Sequence, residues 1–112
     1  ILLAIDLLQV FSHRETDSVL FEWSRVMKKG ATMILSVPDL KKILNDYYNG
    51  ILQVSDVNNY LFGKQMNDYD YHYNGFDEAS LQKHLEGAGL RVVELQHQAN
   101  SMPRLIARAI KL

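Results

Sequence analysis

The residues best equipped for chemistry lie in one stretch, Gln65-Met66-Asn67-Asp68-Tyr69-Asp70-Tyr71-His72-Tyr73-Asn74-Gly75-Phe76-Asp77. Tyr69, Tyr71 and Tyr73 alternate there with Asp68, Asp70 and His72. An imidazole with an unperturbed pKa of about 6.5 can take or give a proton at neutral pH, so His72 is the candidate for acceptor contact or proton transfer. A loop histidine bonded to a backbone carbonyl is the other reading of the same residue. The tyrosine rings can stack on a sugar or aromatic acceptor, or pack the loop onto a sheet. Asn74-Gly75 reads as a turn, and Asp68 and Asp70 read as solvated. The stretch is too polar for a core and too aromatic for an idle linker.

Other chemistries are excluded by what the sequence lacks. There is no cysteine, hence no thiolate nucleophile, disulfide or thiolate metal site. No G-x-S-x-G elbow occurs. His13, His72, His84 and His97 have no i, i+4 spacing, and no carboxylate cluster joins two of them, so no metal site is expected. A net charge of −1 gives no electrostatic footprint for nucleic acid or an anionic membrane. No apolar run approaches the ~20 residues that span a bilayer. The lack of cysteine accords with a reducing compartment, and a cytoplasmic location is the expectation.

The elements that must hold this stretch follow from periodicity and caps. Residues 1–8 are nearly all apolar and read as a buried strand, interrupted by Asp6 near its end. Asp6 is thus placed where strands of open α/β sheets meet ligands, or it is a loop-edge carboxylate. The run has no basic leader and is no signal peptide. Because the chain opens directly in this run at Ile1, it is expected to be the C-terminal part of a longer polypeptide, with N-terminal trimming as the other reading. Ser12 and Glu15 fit a capping box for a helix over 14–28, with Val19, Leu20, Trp23, Val26 and Met27 on one face. Gly30 ends it, and 31–37 is a second strand, covered on both faces and parallel to the first.

Pro38-Asp39 then breaks the strand. Leu40, Ile43, Leu44, Tyr47 and Ile51 recur with helical spacing, and Ser55 or Asp56 starts a shorter helix stopped at Gly63. Residues 38–76 are therefore an insertion, lid-like, within a single domain that spans 1–112. Asp77 caps the next helix, with Phe76 stapled to Leu81. Gly87 near its end is tolerable if it allows close packing. Residues 90–95 and 104–110 are the last strands, too closely linked for a parallel crossover and so an antiparallel hairpin.

Several phrases in this order resemble the C-terminal half of a class I S-adenosylmethionine-dependent methyltransferase. Glu22-Trp23-Ser24-Arg25-Val26-Met27-Lys28-Lys29-Gly30-Ala31-Thr32-Met33 looks like that family's helix, Lys-Pro-Gly-Gly turn and strand. Ser36-Val37-Pro38-Asp39-Leu40 is similar to the end of its fifth strand. Gly75-Phe76-Asp77, Leu81, Leu85 and Ala88-Gly89-Leu90 are similar to the helix and turn before its sixth. Phe62-Gly63-Lys64-Gln65 with Tyr69-Asp70-Tyr71-His72 and Asn74-Gly75-Phe76 resembles a loop of one sub-group.

The resemblance implies an α/β fold, the C-terminal half of a Rossmann-like sheet. Its order is β-α-β, a helical insertion, then α-β-β with an antiparallel last strand. It implies S-adenosylmethionine as cofactor and methyl transfer to a small-molecule or glycan acceptor. By position, Leu8, Gln9 and Phe11 would contact the cofactor, while Asp39, Gln65, Tyr69, Tyr71 and Asn74 would contact the acceptor and His72 would be catalytic. Gln9-Val10 stands where relatives often have Glu-His. No glycine-rich cofactor turn is present, for Gly30, Gly50, Gly63, Gly75, Gly87 and Gly89 are spread singly. The missing N-terminal half, or a partner covering the 1–8 edge, is therefore expected. A non-catalytic interaction module of the same ancestry is the alternative, and an unrelated enzyme built on His72 and Asp70 a third reading.

Overall fold

The computed structural model describes residues 1–68, 70–99 and 102–112; Tyr69, assigned above to the acceptor side, lies outside the described residues. Strand β1 (Leu2–Ile5) runs parallel to β2 (Thr32–Pro38), with Leu2 opposite Met33 and Ile5 opposite Ser36. Helix α1 (Thr16–Arg25) makes the crossover between them, as parallel pairing requires. The final strand β4 (Arg104–Lys111) pairs antiparallel with β2 on its other side. Beyond it β3 (Leu90–Gln98) pairs antiparallel with β4, giving the order β1-β2-β4-β3. The hairpin read from the short link is present, with a bulge between Val92 and Glu94.

Side chains alternate across a strand, so one face collects Ala4, then Met33, Leu35 and Val37, then Leu105, Ala107 and Ala109. Leu20 of α1 and Leu81 and Leu85 of α4 (Glu78–Gly87) close over this face. Phe76 joins the same core just before the Asp77 cap, as the staple reading requires. Asp77 accepts from the Ser80 N–H at 2.8 Å, and the Ser80 hydroxyl accepts from the Asp77 N–H at 3.1 Å.

The opposite face is covered by no helix of comparable packing among the described residues. Leu3 and Ile5 are 63% and 56% exposed there, and Ile34 is half-buried. The expectation of a buried first strand is therefore corrected for this face, whereas on β2 the same face is half-buried at Thr32 and Ile34 and buried at Ser36 and Pro38. The first strand is also shorter than 1–8. It turns at Asp6 (φ 50°), and Leu8–Val10 form a 3-10 turn.

Helix α1 likewise begins later than expected and without a capping box. Ser12 Oγ instead accepts the Arg14 N–H at 3.2 Å, and Glu15 holds the N-cap position with no side-chain bond. The helix ends at Arg25, which leaves Val26 64% exposed, off the apolar face assigned to it. Trp23 packs against the core and meets Phe11 edge-on at 6.1 Å.

The insertion holds two helices, α2 (Leu40–Tyr48) and α3 (Val54–Phe62). Its two ends meet in a bridge between Asp39 and Phe76, and the Leu40 N–H donates to the Phe76 carbonyl at 3.0 Å. Of the stripe read on α2, only Ile43 is fully buried.

Gly87 does not serve close packing. A Cβ there would meet nothing within 4 Å, and its backbone is outside the left-handed region. Gly87→Ala is therefore expected to stabilise the fold by about 0.5–1 kcal/mol, read as a higher urea midpoint at unchanged slope.

Candidate functional site

The carboxyl ends of β1 and β2 lie side by side, and their polar residues are tied together. The Asp6 N–H donates to both the carbonyl and the hydroxyl of Ser36, each at 3.0 Å. The Ser36 hydroxyl donates to Asp6 Oδ1 at 3.0 Å. Arg104, at the start of β4, donates from Nε to both Asp6 carboxylate oxygens at 3.1 and 3.0 Å. Three strands are thus joined at one rim by a charge-assisted contact. Aspartate tolerates the positive φ that lets its carboxylate turn back onto Ser36 and Arg104.

Gln9 follows in the 3-10 turn and is 1% exposed. Its Nε2 donates to the Asp6 carbonyl at 2.8 Å, and its backbone carbonyl accepts the Tyr73 N–H at 2.8 Å. Its Oε1 is buried and has no hydrogen-bond partner. Such an unmatched acceptor costs about 1–3 kcal/mol unless a ligand or water satisfies it.

The returning aromatic stretch is clipped over this turn from above. The His72 N–H donates to the Phe62 carbonyl at 3.1 Å, and His72 Nδ1 lies 3.1 Å from the Tyr60 carbonyl. Both carbonyls belong to the last turn of α3, where helix carbonyls lack internal partners. A carbonyl only accepts, so Nδ1 carries the proton, and neutral His72 keeps its lone pair on Nε2. Tyr71 and Tyr73 stack on each other at 6.3 Å.

Between turn and insertion lies a cleft of about 560 Å³, lined by Gln9, Val10, Asn59, Lys64, Asp70 and His72 among others. Asp6, Asp56 and Arg104 complete its polar wall. Two of the candidate residues, Gln9 and His72, come together here, on elements far apart in sequence. The other candidates among the described residues do not line it. Leu8, in the 3-10 turn, has its side chain fully buried in the core. Phe11 is spent on Trp23. Gln65 is exposed and donates to the Phe62 carbonyl at 3.3 Å, closing the turn after α3. Asn74 donates to Thr16 Oγ1 and lines a smaller cleft of about 280 Å³ beside His72.

Asp39 faces a third cleft of about 810 Å³, lined also by Lys41, Glu78 and His97. It caps α2 by accepting the Lys42 N–H at 3.2 Å. Its other oxygen meets His97 Nδ1 at 2.9 Å, while His97 Nε2 meets Glu78 at 3.1 Å. These two carboxylates, Asp39 first, raise the His97 pKa above the ordinary imidazole value. Sequence reasoning missed Arg104 and His97, whose partners are 98 and 58 residues away. A charged residue directly after Pro103 at the strand start was the available signal for Arg104.

Among the described residues no cluster of three His, Cys, Asp or Glu side chains could hold a metal, and no helix is long and apolar enough to cross a membrane.

No family model and no curated protein sequence matches the chain. Among solved structures it is similar to a SAM-dependent methyltransferase from Methanosarcina mazei, at 18% identity and a TM-score of 0.69. That match covers 98% of this chain and 57% of the other. It is also similar to magnesium protoporphyrin IX methyltransferase from Synechocystis with bound SAH, at 13% identity and a TM-score of 0.60. There the cover is 98% of this chain and 43% of the other. The chain thus spans about half the length of these structures. Its fold is that of the C-terminal half of a Rossmann-like methyltransferase sheet, as the order of elements implied.

Proposed function

We propose that this chain forms the acceptor-side half of an S-adenosylmethionine-dependent methyl-transfer site acting on a small-molecule or glycan acceptor. The observation that carries the reading is Gln9, whose Oε1 is buried and unmatched, among the residues lining a cleft at the carboxyl ends of two parallel strands. Open α/β sheets bind ligands at that end. The fit to the cofactor is one-sided. Its amine and hydroxyl donors suit Gln9 Oε1, while the glycine-rich turn would come from the missing half or a partner at the 1–8 edge. When bound, S-adenosylmethionine supplies an activated methyl group, so little covalent help is asked of the protein.

The chain's own residues then have separable tasks. Gln9 holds a donor group at the floor. His72, its Nδ1 proton held by Tyr60, offers Nε2 to take a proton from the acceptor. The insertion, as a lid, excludes water. A cytoplasmic working place belongs to the same proposal.

The test is an NMR titration of the ¹⁵N-labelled chain with S-adenosylhomocysteine. Saturable shifts clustered at Asp6, Gln9 and Val10 are expected. Their absence at millimolar ligand would overturn this reading in favour of a non-catalytic interaction module. The exposed side chains of Leu44, Tyr47, Ile51 and Phe62 give that second reading its support.

A further inference from the structure

The smaller cleft beside His72, of about 280 Å³, differs in kind from its larger neighbour. Among the described residues that line it there is no carboxylate, lysine or arginine, whereas Asp6, Asp56, Lys64, Asp70 and Arg104 line the larger one. Pro38 at the end of β2, Leu40, Leu61 and Phe62 make its apolar walls. Tyr60 and His72 line both clefts and so form the partition between them. Phe62 and Tyr73 are 53% and 57% exposed, which leaves aromatic surface open at the rim.

Two side-chain acceptors on this lining are open to a ligand. The Thr16 hydroxyl donates to the His13 carbonyl at 3.3 Å, so it can only accept from Asn74, whose Nδ2 therefore faces it. Asn74 Oδ1 is left without a hydrogen-bond partner among the described residues. His72 Nδ1 spends its proton on the Tyr60 carbonyl, which leaves the Nε2 lone pair without a partner as well. Both residues are half-buried, yet among the described residues Gln9 Oε1 is the only buried side-chain polar atom with no partner. Asn74 Oδ1 and His72 Nε2 therefore both reach accessible surface. The hydroxyls of Tyr60 and Tyr73 add groups that can donate or accept.

Size, neutrality and these acceptors decide between ligand classes. The volume lies at the small end for ligand pockets and gives room for one ring. A carboxylate or phosphate would give up its water here and meet no cation. A hexose would press several hydroxyls onto Pro38, Leu40 and Phe62, and each unpaired one costs binding. A phenol lays an apolar ring on those walls and brings a single hydroxyl donor for His72 Nε2. We propose that the smaller cleft binds one uncharged aromatic ring bearing a hydroxyl, with Phe62 as its ring wall and His72 as the acceptor of its hydroxyl. The inference rests on the methyl-transfer reading and names the acceptor as a phenol rather than a glycan. His72 stands in the partition, so the hydroxyl is held where the two clefts meet. On transfer the phenolic oxygen gains the methyl group while its proton passes to His72 Nε2, and the electron pair of the broken carbon–sulfur bond stays on sulfur.

Four probes test it on the ¹⁵N-labelled chain: 4-methylphenol, 4-methylanisole, 4-methylbenzoate and glucose. 4-Methylphenol is expected to give saturable shifts of the Leu61, Phe62 and Gly75 amides and to move the His72 Nε2 resonance upfield. 4-Methylanisole keeps the ring but lacks the donor, and should bind about fivefold more weakly without moving Nε2, as loss of one neutral hydrogen bond implies. 4-Methylbenzoate should bind more weakly still, and glucose should not saturate. His72→Asn retains a donor for the Tyr60 carbonyl and removes Nε2, so it should erase the preference for the phenol over its methyl ether. Phe62→Ala, at an exposed position that does not disturb the core, should weaken both aromatic probes several-fold and leave their ratio unchanged.

Equal binding of 4-methylphenol and 4-methylanisole to the parent chain, or preference for glucose or the benzoate, overturns the inference. So does a Phe62→Ala variant that binds 4-methylphenol as the parent does. S-Adenosylhomocysteine is run alongside. If it shifts Asp6, Gln9 and Val10 while 4-methylphenol shifts nothing, the phenol site fails and the methyl-transfer reading stands. If 4-methylphenol binds as expected and S-adenosylhomocysteine does not bind, the ring site stands and the methyl-transfer reading falls.

Discussion

Gly63→Ala is expected to detach the aromatic stretch from α3 while the sheet stays folded. Gly63 sits at φ 79° and ψ 165°, a region open essentially to glycine alone, and the conformation costs another residue about 1–3 kcal/mol. A Cβ there would also overlap the Asp70 carbonyl oxygen and lie 3.2 Å from His72 Cδ2. A backbone carbonyl cannot swing aside as a flexible side chain could. The strain is thus relieved most readily by letting go of the two bonds from His72 to the last turn of α3. In hydrogen exchange, the His72 amide should lose its protection, and amides of β2 and β4 should keep theirs. Unchanged protection at His72 would show that the clip does not depend on this junction. Gly87→Ala, in open space on α4, is the matching control, with the opposite sign.

Raising the pH is expected to lower the melting temperature through the loss of one charged histidine. Both ring nitrogens of His97 face carboxylate oxygens, which only an imidazolium can satisfy by donating twice. Its folded pKa is raised above 6.5, through Asp39 first and Glu78 second. Protonation is therefore favoured by folding. The stabilisation is fully present below the unfolded value of about 6.5 and is lost as the pH climbs through the raised folded value. Lys41 and Lys42 of α2 and Asp77 of α4 line the same cleft. Asp77 acts in the other direction: the Ser80 bonds lower its pKa, so its contribution is present above 3.8 and lost as the pH falls through the folded value. His97→Gln should remove the upper slope and leave the lower one. Added salt should shrink the upper slope too, since the His97 side chain is more than half exposed. A pH profile of thermal midpoints for both proteins decides it, and an identical slope in the variant would reject the assignment.

What could be read from the sequence was local. The Asp77 cap, the Phe76 staple, the stop at Gly63 and the antiparallel hairpin are each written within about ten residues, and all are present; the stop read at Gly30 is not, because α1 already ends at Arg25. The site was legible only in part for the opposite reason. Gln9 and Tyr73 meet across the whole insertion, and Asp6 meets Arg104 across nearly the full chain. No spacing rule reports such pairs. The stripe Leu44, Tyr47 and Ile51 shows a related limit. Periodicity correctly marks one side of α2 as apolar, yet these residues are 48%, 49% and 67% exposed. Helical spacing says which side is oily and is silent about what lies against it.

The bridge between Asp39 and Phe76 has an evolutionary reading. The two ends of the excursion are hydrogen-bonded neighbours, and Asp39 is tied in turn to Pro103 on the sheet by a 2.9 Å bond from its N–H. Everything from 40 to 75 leaves and re-enters through one doorway. Lengthening such a loop adds little closure entropy, and each doubling costs only about 0.6 kcal/mol. The sheet would not register the change, because no strand pairing crosses the doorway. The excursion is therefore a cassette: a lineage can replace it wholesale, altering what the cleft admits, without renegotiating the fold that carries it.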